Sequence, residues 1–353
     1  MDHRTRTHGL RLERIAASPR YRDGAFRNTH PVTAGLVQGK RQGVMSEWMF
    51  GKAQRRPDRP LPATDPRPTW ARARDGLRVT WLGHSTVLLE LDGLRVLTDP
   101  VWSDRISPFG PLAPKRFQPV PAPIEALPAL DAIVISHDHF DHLDHGTIQA
   151  LLPLAAPFVT SLGVGAHLAA WGVPAHRIIE LDWWESHTLR GGDLAITATP
   201  SQHFSGRVSK RDRTLWSGMA IRTANPRVFF SGDTGLTPEY EEIRTRLGPF
   251  DLVMLEIGAW HPAWGHVHLG PANALEALRL LGGGRFLPVH WGTFNLGLHA
   301  WDAPAEQLIE LAAARDVELV MPRLGEVVEP ALAPMVTPWW RVPGVVADLA
   351  SAV

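Results

Sequence analysis

From Leu77 onward the chain is a succession of short apolar runs separated by turn residues: LRVTWLG (77–83), STVLLEL (85–91), LRVLTD (94–99) and AIVIS (132–136). Runs of this length and punctuation predict strands. Asp92 and Gly93 lie between two of them, and a glycine suits the tight two-residue turn of a hairpin. Further strands are predicted at LAITATP (194–200), RVFFSGD (227–233), LVMLEIG (252–258) and RFLPVHWG (285–292). Three intervening segments carry helical marks. GTIQALLPLA (146–155) is one; PEYEEIRTRLG (238–248) opens with Pro and closes with Gly, and PANALEALRLLGGG (271–284) does so more strongly. Strands, helices and hairpins mixed in this way indicate α+β layers instead of a doubly wound sheet.

The flanks differ. Residues 1–75 form an Arg/Pro-rich N-terminal extension in which RPDRPLPATDPRPTW reads as an extended connector. Residues 76–330 are read as the main folded domain, and 331–353 as a loosely patterned C-terminal tail. With 353 residues, 44% of them hydrophobic, the chain can bury a large core. Its formal net charge of zero provides no whole-molecule field for nucleic acid. Charge is unevenly spread, however: residues 1–75 hold 16 Lys and Arg against 7 Asp and Glu, leaving the remainder acidic by the same margin of 9. That head is suited either to lie across the acidic body as a solvated extension or to meet an anionic phospholipid surface. The absence of cysteine excludes disulfides, thiolate metal sites and cysteine nucleophiles. The first residues lack the apolar run of a secretory signal, and no stretch of 18 apolar residues occurs. A cytoplasmic protein is expected, soluble or peripheral to the inner face of the membrane; nothing in the sequence sets its oligomeric state.

Candidate chemistry centres on SHDHFDHLDH (136–145), which follows an apolar strand and precedes a helical segment. Within it, H-x-H-x-D-H sets His137 and His139 on one face of an extended segment, and a turn can bring Asp141 and His142 round a second centre. Imidazoles and carboxylates crowded together are costly unless a cation neutralises them. His203, Asp233 and His290 each follow another strand-like run. Five His and two Asp exceed the needs of one tetrahedral ion and suit two, with a bridging Asp between ions about 3.5–4 Å apart.

The motifs WLGHSTVLLELDGLRVLTDP, SHDHFDHLD, ELDWWE, TPSQH, SGDTG and VHWGTF, in that order, resemble the metallo-β-lactamase superfamily. More narrowly, they resemble its branch similar to N-acyl-phosphatidylethanolamine-hydrolysing phospholipase D. The resemblance implies a four-layer αββα sandwich with two metals at one edge of the facing sheets. It further implies that His137, His139 and His203 hold one divalent ion, that Asp141, His142 and His290 hold the other, and that Asp233 bridges them. Zinc is the default; nitrogen and oxygen donors also accept manganese or iron. Asp99 matches an acidic position beside the metals, and His268 a histidine close to the reacting substrate, so His268, Asp141 and Asp99 form the implied catalytic set. His84 is either directed into the same end or a hydrogen-bonded structural residue. His261 and His266 are expected at the surface, Trp260 and Trp264 along the approach, and Trp183 and Trp184 in the core or at the rim.

Two ions flanking a water lower its pKa toward neutrality, which makes hydroxide the expected nucleophile. His268 would stabilise developing charge or protonate the leaving group. The resemblance favours a phosphodiesterase of phospholipase D type, acting on a small-molecule or phospholipid substrate. A lactonase or other ester hydrolase could use the same parts. A protein of another class, one that binds or senses metal without catalysis, would keep the fold and the ligands.

Overall fold

Neighbouring side chains on a strand leave for opposite faces, and here both faces are covered. Val87, Leu89 and Leu91 of the strand Thr86–Leu91 join one apolar cluster, while Leu88 joins another. Val96 and Leu97 divide in the same way, as do Val134 and Ile133. Fully burying such a side chain contributes about 1.5–3 kcal/mol, which explains why these runs are continuously apolar instead of alternating. A sheet buried on both faces needs a layer on each side. The computed structural model, which describes residues 3–32, 41–72, 75–107, 110, 113–208 and 210–341, supplies them.

The first sheet has seven strands in the order Val327–Val328, Leu77–Gly83, Thr86–Leu91, Leu94–Thr98, Ala132–Ile135, Phe158–Ser161 and Ile178–Leu181. The second has six, in the order Arg285–Val289, Leu252–Glu256, Arg227–Phe230, Gly218–Arg222, Leu194–Thr199 and Ser186–Leu189. Their facing sides share a core of Val87, Leu89, Val134, Ile196, Met219 and Phe230 among others. Helices His145–Leu151 and Gly165–Ala170 cover the outer face of the first sheet through Ile148, Leu151 and Leu168. Helices Glu239–Leu247, Gly270–Leu280 and Ala303–Ala313 cover the second through Ile243, Leu275 and Leu308. The architecture is the expected α+β, four-layer αββα sandwich.

Local chemistry sets the connections. Asp92 and Gly93, with φ of 48° and 82°, make the hairpin turn and pair Leu91 with Leu94. Asp144 caps the helix His145–Leu151 by accepting from the Thr147 amide at 3.2 Å. Sequence patterning did not predict the strands Phe158–Ser161, Ile178–Leu181, Ser186–Leu189 and Gly218–Arg222, nor the helices His3–Ala17 and Arg41–Phe50. Both of those helices lie in the Arg-rich head. Arg11 of the first pairs with Glu180 at 2.6 Å and Arg14 with Glu185, so part of the basic head does lie on acidic groups of the body. Phe26 is buried with Trp183, Leu215 and Trp216. Within the connector, Arg67–Trp70 is helical, and the Trp70 indole donates to Thr80 Oγ1 at 3.0 Å.

The segment expected to be a loose tail returns to the core before Arg341. Trp339 and Trp340 are buried against Trp291, and Trp291 stacks on Trp81 at 5.2 Å and 14°. The rest of the tail, 342–353, lies outside the described residues. Among the described residues no helix is long and apolar enough to cross a membrane.

Candidate metal centre

The strands that feed the centre run in one sense within each sheet and end at one edge. In the first sheet Leu77–Gly83 leads to His84, Leu94–Thr98 to Asp99, and Ala132–Ile135 to His137. In the second, Leu194–Thr199 leads toward His203, Arg227–Phe230 to Asp233, and Arg285–Val289 to His290, while Leu252–Glu256 ends in Glu256 itself. His84, Asp99 and His290 have positive φ of 54°, 33° and 64°. Such conformations cost of order 1–3 kcal/mol each and persist only where the surroundings hold them. Here they are held: the His290 amide donates to the His84 carbonyl at 3.0 Å, and the His84 amide to Thr293 Oγ1 at 2.6 Å. Gly232, at φ 56°, lets the sheets meet, since a Cβ there would lie 2.6 Å from Ser136 Cβ.

Two quartets result. His137, His139, His203 and Asp233 have ligand atoms within 4.8 Å of one another, and so do His84, Asp141, His142 and His290. Asp233 stands at the joint between them. Its Oδ1 is 3.2 Å from His142 Nε2, and its Oδ2 is 3.3 Å from His290 Nε2, 3.7 Å from His203 Nε2 and 3.9 Å from His137 Nε2. All seven residues expected to be ligands thus converge, and His84 joins them. Donors about 2.0–2.2 Å from a tetrahedral zinc lie about 3.3–3.5 Å apart, a separation these distances bracket.

Partners behind the quartets orient them. Asp99 Oδ2 is 2.7 Å from His142 Nδ1, and Asp99 also accepts from Ser136 N at 2.7 Å and Ser136 Oγ at 2.6 Å. The Ser136 hydroxyl in turn lies 2.9 Å from His137 Nδ1, so one buried carboxylate supports a histidine of each quartet. His203 Nδ1 faces the Val267 carbonyl at 2.8 Å. Asn28, in the N-terminal extension, brackets the His203 backbone: its Oδ1 accepts from the amide at 3.1 Å and its Nδ2 donates to the carbonyl at 2.8 Å.

Charge and desolvation conflict in this interior. Burial and neighbouring imidazoles hold His137 well below the usual histidine range, and burial holds His203 there. Burial opposes a proton on His142 too, but Asp233 and Asp141 raise that group well above its usual range. His290 is likewise pushed up to about 10, chiefly by Asp233, against its burial. The carboxylates therefore demand positive charge where the quartets meet. A divalent cation meets that demand without occupying imidazole lone pairs with protons. The buried atoms His142 Nε2 and Asp233 Oδ1 face one another without a hydrogen bond, as donors to a shared cation would. The residues fit a metal.

His268 lies beside both quartets, its ring 5.1 Å from His203 and 5.7 Å from His290 between centroids. Nδ1 is 3.0 Å from Glu256 Oε1, an oxygen that also accepts from the amides of Thr234 and Leu269. Burial alone would lower the His268 pKa, yet the Glu256 charge and hydrogen bond raise it overall. Sequence reasoning missed Glu256, although it is the single charged residue in the apolar run LVMLEIG. His268 opens on a cavity of about 580 Å³ lined also by Pro31, Val32, Leu236, Trp260 and Trp264. Both Trp expected along the approach are thus there. His266 is exposed at its rim; His261, expected at the surface, is partly covered and meets Glu47 at 3.1 Å. Trp183 is buried and Trp184 half-buried.

Residues 94–291 match the family described as the Beta-lactamase superfamily domain. An uncharacterized protein of Mycobacterium tuberculosis is 44% identical over 330 residues, covering 92% of this chain and 88% of that one. N-acyl-phosphatidylethanolamine-hydrolyzing phospholipase D 1 of Caenorhabditis elegans is 38% identical over 274 residues, covering 73% and 77%. Among solved structures, Igni18, a metallo hydrolase of the archaeon Ignicoccus hospitalis, aligns with a TM-score of 0.55 and 25% identity, over 71% of this chain and 97% of that one. Sequence, layers and site agree: the chain belongs to the metallo-β-lactamase superfamily, as a metal-dependent hydrolase of the branch resembling N-acyl-phosphatidylethanolamine-hydrolysing phospholipase D.

Proposed function

We propose that this hydrolase is dinuclear and cleaves phosphodiesters in the manner of a phospholipase D, on N-acyl-phosphatidylethanolamine-like or related substrates. The observation that carries the reading is the place of Asp233 between the quartets: Oδ1 faces His142, and Oδ2 lies among His290 of the same quartet and His203 and His137 of the other. His137, His139 and His203 would hold one ion, Asp141, His142 and His290 the other, and Asp233 both. Zinc is the expected metal, with manganese or iron compatible with the same donors. When bound, the ions supply an activated water and positive charge for a phosphoryl oxygen. The chain's own residues do the rest. His268, its Nδ1 engaged by Glu256, has Nε2 for the substrate and can protonate the departing alcohol oxygen as the phosphorus–oxygen bond breaks. Trp260, Trp264 and Leu236 give the approach an apolar wall that suits an acyl chain.

Contact with an anionic membrane belongs to the same reading. The helix Arg41–Phe50 exposes Met45, Trp48, Met49 and Phe50, and the exposed cations Lys52, Arg56 and Arg59 follow it. Glu47 ties this helix to His261 at the cavity rim. Apolar side chains beside cations favour an anionic lipid interface. The test is turnover by zinc-loaded protein on a panel of phosphodiesters, carboxylic esters and lactones, together with flotation on anionic vesicles. Preferential phosphodiester cleavage supports the reading. Preference for lactones or esters replaces it with an ester hydrolase of the same fold, and two bound ions without turnover indicate a non-catalytic metal binder. Trp48→Ser with Phe50→Ser is expected to abolish flotation while leaving cleavage of a soluble substrate intact.

A further inference from the structure

The resemblance implies a metal role for seven of the eight quartet residues and none for His84. The ring of His84 is buried, 4.0 Å from that of His290 and edge-on to Phe294 at 5.3 Å. Its Nε2 lies 3.1 Å from Asp141 Oδ2, while Nδ1 is buried with no hydrogen-bond partner. A neutral imidazole has one N–H and one lone pair to place. If His84 were a metal ligand through Nε2, its hydrogen would sit on Nδ1, where nothing accepts it. A buried N–H without an acceptor is the rarer defect, compared with an acceptor whose lone pair is unfilled. The hydrogen therefore belongs on Nε2, directed at Asp141.

The backbone makes the same connection. The His84 carbonyl accepts from both the His290 amide and the Trp81 indole, the latter at 2.9 Å, so the ring is fixed by the segment that carries His290. Asp141, by contrast, sits on the loop between the strand Ala132–Ile135 and the helix His145–Leu151. We propose that His84 is a positioning residue, not a ligand: its Nε2–H donates to Asp141 and holds that loop carboxylate against His142 and His290. This rests on the dinuclear reading above.

The experiment is chelator-competition titration of zinc and cobalt into metal-free wild type, His84→Phe and His84→Gln, with the cobalt absorption spectrum recorded and folding checked by circular dichroism. Groups that orient a ligand change metal affinity about 10–100-fold when removed. His84→Phe keeps an aromatic ring but no donor, so it should bind the first ion normally and the second about 10–100-fold more weakly. His84→Gln keeps an N–H near the position of Nε2; it should restore most of that affinity with an unaltered cobalt spectrum. If His84→Phe does not fold, His84→Asn replaces it, because its shorter amide withdraws the donor from Asp141. Two ions bound with wild-type affinity in the donor-less variant would overturn the proposal and leave the dinuclear reading standing. A changed cobalt spectrum with no rescue in His84→Gln would overturn it in favour of direct ligation. A single ion in wild type would remove the dinuclear reading, and this proposal with it.

Discussion

An amide cannot do for two cations what a carboxylate does, because it is neutral and offers only one good donor oxygen. Asp233→Asn is therefore expected to lose metal and activity together while the sandwich persists; elemental analysis alongside circular dichroism checks it, and full turnover would remove Asp233 from the centre. His268 should separate from the ligands. His268→Asn is expected to retain two ions but lose about 10² to 10⁴-fold in turnover, less with better leaving groups. Its pH behaviour follows from Glu256, which raises the His268 pKa overall against the effect of burial. A general acid works while protonated, so activity is present below that pKa and falls as pH rises through it. Replacing Glu256 by Gln removes the charge that holds the proton, and the alkaline limb of the kcat profile should move to lower pH. An unmoved limb would assign that limb to another group. The dense donors of H-x-H-x-D-H and the polar residues that close other apolar runs made the quartet residues other than His84 legible in the sequence, whereas His268 was legible only through the family resemblance. Glu256 was not, because one acid in a buried strand reads as a strand residue until its partner across space is known.

At the scale of elements, the N-terminal extension is part of the centre. Asn28 clamps the His203 backbone and also accepts from the Trp216 indole at 3.1 Å, while Pro31 and Val32 line the cavity beside His268. Asn28→Ala should weaken retention of the first ion by about 10–100-fold, measured by chelator competition, with smaller loss at the second. Equal loss at both would mean a general loosening instead. None of this could be read from the Arg, Pro and Gly of residues 1–75, since Asn28 meets its partner 175 residues away and local composition carries no trace of that contact. The strands that end in quartet residues were legible for the opposite reason. Burial on both faces makes them continuous apolar runs, and a polar residue at the end of such a run stands out. Gly218–Arg222, which opens on glycine and closes on an exposed arginine, offered less of either signal.

Across the whole molecule, the quartets draw on both sheets: His137 follows a strand of the first, His203 and Asp233 strands of the second. Any ion bound there ties the halves of the sandwich together, and its removal leaves buried carboxylates and imidazoles without compensation. Chelation should lower the melting temperature, and zinc should restore it; an unchanged melting curve would mean that the centre contributes nothing to the join between sheets. The Trp81, Trp291, Trp339 and Trp340 cluster gives this event a visible signal. Trp291 follows His290 directly, and the Trp81 indole donates to the His84 carbonyl, so two stacked ultraviolet chromophores are wired to neighbouring histidines of one quartet. Excitation energy passes readily among stacked indoles, and small shifts in their spacing alter how much is re-emitted. Metal uptake should thus be readable as a change in intrinsic fluorescence, with no dye and no substrate, and Trp291→Phe should diminish most of that change.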